Sequence, residues 1–261
     1  MTQVDLSFVI PAYNEEEYIE ETLSEVNEVA KGSNLPYEII VVDDGSKDGT
    51  FLKATRYAWK HAHVRMVHFV ANNGKGYALN AGFMHADGDI VIFADGDMDI
   101  DLHLISQYLA ALEHSDIVIA SKWHPQSQVK MPLRRKLLSH GFNVLVRVLT
   151  GVPLKDTQAG LKAMRRTAFE CVFPKLSVKR YAFDVELLAV ARLYGLKVAE
   201  LPVDLKIDAS FKFRDVWKML LDLLGIAYRL RIIHWYQHST PARNSLQKTL
   251  SFVLRENEWK R

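Results

Sequence analysis

Two short runs of β-branched and apolar residues each lead into a cluster of carboxylates, and this pairing constrains the chain more than any other feature. Ile39-Ile40-Val41-Val42 leads into Asp43-Asp44-Gly45-Ser46, and Ile90-Val91-Ile92-Phe93 leads into Asp95-Gly96-Asp97-Met98-Asp99. Short continuous apolar runs read as strands buried on both faces, the situation of a parallel sheet covered by helices. Ligands of such open sheets sit beyond the carboxyl ends of the strands, where both acidic clusters fall. Asp95, Asp97 and Asp99 stand at alternate positions and need a counter-charge in any pocket shielded from water. A hard divalent cation, Mg2+ or Mn2+, supplies one, and such ions combine carboxylate oxygens with the oxygens of a substrate diphosphate. The first reading is a metal-dependent enzyme acting on a nucleotide.

The rest of the N-terminal half repeats the strand–helix alternation. Strands are expected at Leu6–Ile10, Tyr37–Val42, Val64–Phe69, Ile90–Phe93 and Ile117–Ala120, with helices at Glu15–Ala30, Thr50–His61, Tyr77–Ala86 and Leu102–Glu113. Asn14 is the expected N-cap of the first helix, whose opening turn carries Glu15, Glu16 and Glu17 at the positive end of the helix dipole. Five such alternations at short spacing predict an α/β fold with a Rossmann-like, mostly parallel central sheet flanked by helices. After Lys122 the pattern changes. Leu138, Phe142, Leu145 and Leu149 form one helical stripe ended by Gly151 and Pro153, Phe183–Tyr194 reads as a helix, and Leu196–Val203 reads as a strand. A long amphipathic helix is expected over Phe213–Ile233, and a short one over Leu246–Leu254.

Composition excludes several classes. A net charge of +2 over 261 residues is too small to argue for nucleic acid as a partner. Cys171 is the single cysteine, so no internal disulfide can form and a reducing, cytoplasmic compartment is expected. Met1-Thr2-Gln3-Val4-Asp5 has neither the basic nor the apolar region of a signal peptide. The best candidate for a spanning segment, Met219–Ile233, carries Asp222, Arg229 and Arg231, so no spanning helix is expected. Charge is unevenly placed: between Asp116 and Asp156 there is no acidic residue, while Lys122, Lys130, Arg134, Arg135, Lys136, Arg147 and Lys155 all fall there.

Val9-Ile10-Pro11-Ala12-Tyr13-Asn14-Glu15, Val41-Val42-Asp43-Asp44-Gly45-Ser46, Asn73-Gly74-Lys75-Gly76 and Asp95-Gly96-Asp97, in that order, resemble the family-2 glycosyltransferases of GT-A fold. Asp156-Thr157-Gln158-Ala159-Gly160-Leu161-Lys162 and Phe183-Asp184-Val185-Glu186-Leu187-Leu188 resemble the polyprenyl-phosphate branch, closest to the dolichyl-phosphate glucosyltransferases and next to the dolichyl-phosphate mannose synthases. The resemblance implies that Pro11, Tyr13 and Glu15 surround the base and ribose, that Val42 packs on the base and that Asp44 hydrogen-bonds it. It further implies that Asp97 and Asp99 ligate Mg2+ or Mn2+, with Asp95 on the ribose or a metal-bound water. Gly96 would let the backbone approach the diphosphate, and Lys75 would reach that diphosphate as a point charge. Lys122, Arg135 and Lys206 match basic positions expected to hold an acceptor phosphate, although Ala209-Ser210-Phe211-Lys212 departs from the family's Gly-Ser-Lys, which leaves Lys212 as a second candidate. Asp156, Gln158, Asp184 and Glu186 are expected to shape the acceptor side. On this division residues 1–122 form the nucleotide-sugar half, 123–210 the acceptor half, 211–237 an interface helix and 238–261 a tail.

The implied reaction moves a hexose from a nucleotide diphosphate sugar to a polyprenyl phosphate with inversion, and it leaves UDP-glucose and GDP-mannose both open. The stripe Leu138, Phe142, Leu145, Leu149 beside Arg134, Arg135 and Lys136, and a second face of Phe213, Trp217, Leu220, Leu221, Leu224 and Tyr228, fit helices lying on anionic lipid. Many relatives carry spanning helices beyond this point. The expectation here is a peripheral protein on the cytoplasmic membrane face, or one that depends on a membrane-protein partner. A transferase using a sugar hydroxyl remains the enzyme alternative and would need a carboxylate base, for which Asp156 is the candidate. A non-catalytic nucleotide-sugar binder is opposed by the intact Asp97 and Asp99. A dinucleotide-dependent dehydrogenase is disfavoured, because no Gly-x-Gly-x-x-Gly follows the first strand. Asp97→Asn should abolish metal-dependent transfer and weaken nucleotide diphosphate binding with the circular dichroism spectrum unchanged. Undiminished turnover would remove Asp97 from the metal site.

Overall fold

A computed structural model of the chain describes residues 4–94, 104–180, 182–206 and 213–238. Strands β1 (Leu6–Ala12), β2 (Tyr37–Asp43), β3 (Val64–His68) and β4 (Ile90–Phe93) run parallel and are linked by α1 (Ile19–Gly32), α2 (Thr50–Lys60) and α3 (Lys75–Met84). The alternation of side chains along each strand sorts them onto two faces. Phe8, Ile10, Ile39, Val41 and Ile92 join the core under α1 and α2, while Val9, Ile40, Val42, Val91 and Phe93 join the core under α3. Both faces are covered, which is why these runs are apolar without interruption.

Beyond β4 the topology departs from simple alternation. After α4 (Ile105–Ala111) and β5 (Ile117–Ala120) come β6 (Gln128–Lys130), α5 (Leu133–Thr150) and β7 (Lys162–Arg165). The chain continues through α6 (Arg166–Val172), α7 (Phe183–Leu193), β8 (Val198–Leu201), β9 (Asp204–Lys206), α8 (Phe213–Arg231) and α9 (Trp235–His238). The seven-stranded sheet has the order β3-β2-β1-β4-β7-β5-β8, with β7 antiparallel to both of its neighbours. A separate two-stranded sheet pairs β6 with β9. The mostly parallel α/β sheet expected from the sequence is therefore present, but β7 was not expected: four residues opening on a lysine and closing on an arginine carry no apolar-run signal.

Pro11 has a topological effect. The Asp5 and Val9 carbonyls accept hydrogen bonds from the N–H groups of Ile90 and Ala94 on the β4 side. Pro11, next in that alternation and without an N–H, has no donor with which to extend the ladder beyond Ala94.

Two local expectations are corrected. The first helix starts at Ile19, not Glu15, and Asn14 is no N-cap: it lies at φ 58°. The N–H groups of Asn14, Glu15 and Glu16 donate instead to Ser46 Oγ, Thr50 Oγ1 and Asp48 Oδ2, fastening this stretch to the loop after β2. On α5, Phe142, Leu145 and Leu149 of the expected outward stripe pack against the core, whereas Leu133, Leu137, Leu138, Val144 and Val148 are exposed. On α8 four residues of the expected face, Trp217, Leu221, Leu224 and Tyr228, are exposed, Leu220 is half-buried and the Phe213 side chain lies outside the described residues, while Met219, Leu223 and Ile226 are buried.

The C-terminal end of the described chain is held by fully buried Glu186 on α7. Its carboxylate accepts from Ser177 N–H, Ser177 Oγ, Val178 N–H and the Tyr236 hydroxyl at 2.7–2.8 Å and 2.6 Å, with Arg229 at 3.3 Å. Burial, followed by the Glu186 charge, pushes the Tyr236 phenol above its usual range. Tyr236→Phe removes a hydrogen bond to a charged group and should cost about 2 kcal/mol in urea unfolding. An unchanged midpoint would contradict this role for the tyrosine.

Candidate active site

The loops at the carboxyl ends of β1, β2 and β3 form one interlocked rim. Gly45, at φ 73°, passes so close to the loop after β3 that a Cβ there would meet the Ala71 carbonyl carbon at 2.6 Å. Asp44, 3% exposed, accepts the Asn73 N–H through one carboxylate oxygen at 2.8 Å and the Gly74 N–H through the other at 2.7 Å. Burial raises its carboxyl above the ordinary range, and those two N–H bonds pull it back down. Gly74 has φ 103°, and a Cβ on it would collide with the Lys179 carbonyl oxygen at 2.4 Å, so the loop before α7 lies directly on the glycine turn. Lys75 follows as the first residue of α3.

Around this rim Pro11 is part-buried, Glu15 is part-buried and Tyr13 is exposed, all at the β1 end as expected. Val42 differs. Its side chain is fully buried against α3, where its methyl lies 2.9 Å from the position of a Gly82 Cβ, so it is a core residue with no face left for a base. His68, unremarked in the sequence, donates its Nδ1–H to the fully buried Asp43 carboxylate at 2.6 Å, which fixes Asp43 as a support of the rim. Asp95, Gly96, Asp97 and Asp99 lie outside the described residues. Their position after β4 and their all-oxygen donor set suit Mg2+ or Mn2+.

The other side of the cleft is built from the strand β5 exit and helices α5 and α8. A pocket of about 130 Å³ is lined by Lys122, Arg135, Leu138, Ser139, Phe142 and Gln158, with Met131, Val216 and Met219 completing it. Asp156, fully buried, accepts the Lys122 N–H at 3.0 Å and pairs with Lys122 Nζ at 3.2 Å, while its other oxygen accepts the Gln158 N–H at 3.0 Å. Glu200 on β8 in turn accepts the N–H groups of Lys155 and Asp156. Lys122 is thus a cation held at the wall of an otherwise largely apolar pocket. Ser139, one turn beyond Arg135 on α5, was missed from the sequence, where the i, i+4 spacing was its only signal. Lys206 pairs through its backbone with Lys130, and its side chain lies outside the described set, as does Lys212.

Asp184 and Glu186 are not on this pocket's lining. Asp184 pairs with Lys162 at 2.8 Å, and Lys162 Nζ also donates to the Ala159 carbonyl at 2.6 Å. Lys162 stands opposite Phe93 on β4 and Ile119 on β5, so this buried pair sits between the two halves of the sheet. Glu186 belongs to the Tyr236 network described above. Asp156 beside the pocket and Asp184 between the halves of the sheet are thus each paired with a lysine.

The Glycosyl transferase family 2 model matches residues 7–173. The chain is 36% identical over 250 residues to a dolichyl-phosphate beta-glucosyltransferase of Trichomonas vaginalis, covering 90% of this chain and 74% of that protein. It is 36% identical over 252 residues to the enzyme of that name from Drosophila melanogaster, covering 89% and 77%, and 34% identical over 258 residues to that from Homo sapiens, covering 92% and 80%. In fold it resembles glucosyl-3-phosphoglycerate synthase from Mycobacterium tuberculosis in complex with UDP, with a TM-score of 0.67 at 21% identity over 86% of this chain and 80% of that one. A structure of that synthase with Mn2+, UDP-glucose and phosphoglyceric acid gives a TM-score of 0.65 at 20% identity over the same shares of the two chains.

Removing one partner of the buried Lys162–Asp184 pair should be far worse than removing both. Lys162→Met alone should cost about 3–5 kcal/mol, and Lys162→Met with Asp184→Leu should recover much of that loss in thermal or urea unfolding. Equal destabilisation by the single and double variants would show that the pair is not what these positions contribute.

Proposed function

The chain belongs to glycosyl transferase family 2, and we propose that it transfers glucose from UDP-glucose to the phosphate of a polyprenyl phosphate such as dolichyl phosphate. The observation that carries the acceptor assignment is the α5–α8 pocket, where Lys122 and Arg135 line the wall together with Leu138, Phe142, Val216 and Met219, and where the carboxylate beside it, Asp156, is paired with Lys122. A phosphate monoester is already anionic near neutral pH, so it needs cations and alignment rather than a base. An attacking sugar hydroxyl would need a carboxylate to accept its proton. The names of the three relatives above favour glucose over mannose and a dolichyl phosphate acceptor.

On this reading the Asp44–Gly74 rim, with Pro11, Tyr13 and Glu15, receives the nucleoside, and Lys75 at the start of α3 neutralises the departing diphosphate. Asp97 and Asp99 would hold Mg2+ or Mn2+, and Asp95 would meet the ribose or a metal-bound water. When bound, the ion supplies positive charge to the leaving UDP. Gly96 leaves room for the diphosphate beside the backbone. Lys122 and Arg135 hold the acceptor phosphate, with Ser139 and Gln158 within the same wall and Lys206 a further candidate cation. One phosphate oxygen forms the new bond to the anomeric carbon as the bond to UDP breaks, with inversion.

The protein would work at the cytoplasmic face of a membrane. No helix among the described residues is long and apolar enough to cross one. Instead, Trp217, Leu221, Leu224 and Tyr228 on α8 and Leu133, Leu137 and Val148 on α5 are exposed, with Arg134, Lys136, Arg147 and Arg231 exposed beside them. Apolar and aromatic side chains rimmed by cations are the composition of a surface that rests on anionic lipid.

Arg135→Ala should lower transfer to polyprenyl phosphate about a hundredfold while UDP binding, measured by calorimetry, changes less than about twofold. An equal fall in UDP affinity would move Arg135 to the donor side. Asp156→Asn should keep measurable turnover with the phosphate acceptor. A fall of about a hundredfold or more in Asp156→Asn, rescued at high pH, would instead favour a hydroxyl acceptor and a base at Asp156.

A further inference from the structure

A second cavity, of about 340 Å³, opens on the opposite flank of α8 from the acceptor pocket. Its walls include Ser177, Lys179 and Arg180 from the loop before α7, and Asp222, Gly225 and Arg229 from α8, with exposed Leu221 at its rim. The helix repeat of 3.6 residues explains the separation. Val216 and Met219 face the acceptor pocket, Asp222, Gly225 and Arg229 face this one, and the exposed stripe Trp217, Leu221, Leu224 and Tyr228 runs between them. Three of the side chains around the cavity are cationic against one carboxylate. The Arg229 guanidinium is held in place by Glu186 and the Tyr236 hydroxyl, and it fills the space above Gly225, where a Cβ would lie 3.4 Å from it.

We propose that this cavity binds the phosphate of an anionic membrane phospholipid, as a headgroup site separate from the acceptor pocket. The inference rests on the reading that α8 lies on a bilayer. A lipid lying with its chains against Leu221 and Tyr228 would present its phosphate at the level of Arg180 and Arg229. Asp222 opposes the anion: burial raises its carboxyl above the usual range, and Arg180 and Arg229 lower it, so it shares their field. Arg180 and Asp222 therefore act in opposite senses, which separates this site from general stickiness of the helix.

The test is co-sedimentation of the full chain with vesicles of phosphatidylcholine alone and of phosphatidylcholine with about a third phosphatidylglycerol. A single cation near such a surface is worth roughly a fivefold change in partitioning. Arg180→Ala should weaken binding to the anionic vesicles about fivefold and leave binding to neutral vesicles unchanged, and Asp222→Asn should strengthen binding to the anionic vesicles alone severalfold, whereas misfolding would raise binding to both. Full-chain binding to neither vesicle would overturn the bilayer reading and this site with it. Binding that Arg180→Ala and Asp222→Asn leave unaltered would overturn the headgroup site alone. Glycerol 3-phosphate competing fully with the anionic vesicles at micromolar concentration would assign the cavity to a soluble phosphate and overturn the lipid assignment.

Discussion

A lysine and an aspartate 2.8 Å apart, with side chains 3% and 8% exposed, hold the two halves of this molecule in one frame. Lys162 lies on the antiparallel strand that separates β4 from β5, and Asp184 lies in the first turn of α7. Withdrawing both charges from water is costly, and the pair persists because each has a close partner and Lys162 has the Ala159 carbonyl as well. Lys162 stands opposite Phe93, the last residue of β4 before the acidic cluster in the sequence, so this joint lies beside the strand that leads to that cluster. Gly76 adds a steric link: a Cβ there would strike the Phe183 ring at 2.5 Å, which fixes how closely α3 and α7 approach.

Around that frame, negative charge is handled in two ways. At the donor rim Asp44 is satisfied by backbone N–H groups, so its carboxylate shapes the Gly74 turn without consuming a cation. At the acceptor side Asp156 and Asp184 are each matched to a lysine. The β1–β3 rim therefore carries a carboxylate held by backbone N–H groups, whereas the α5–α8 pocket carries one held by a lysine.

Much of the sheet was legible in the sequence because its signal is local. Ile90–Phe93 and Ile117–Ala120 occupy the expected residues, since a buried parallel strand is apolar throughout. The misses came from contacts between distant residues. The stretch from Asn14 to Glu16 has every local feature of a helix start, but its N–H groups are taken by Ser46, Asp48 and Thr50 across more than thirty residues of sequence. Strand β7 was invisible because its terminal Lys162 and Arg165 are satisfied by partners far along the chain: Asp184 for the first and the Leu112 carbonyl for the second. Val42 was assigned to the base by resemblance, whereas its place in the β2 alternation already put it on the α3 face. Lys122, Arg135 and Gln158, named from separate motifs, do converge on one pocket.

The central claim is that the group receiving the sugar is a phosphate lying between Lys122 and Arg135. Incubating the protein with radiolabelled UDP-glucose, Mg2+ or Mn2+, and either a short polyprenyl phosphate or the matching polyprenol tests it most directly. The account predicts a glucosylated, phosphate-containing lipid from the first and no product from the second. Equal labelling of the polyprenol, or labelling only of an added sugar, would contradict it.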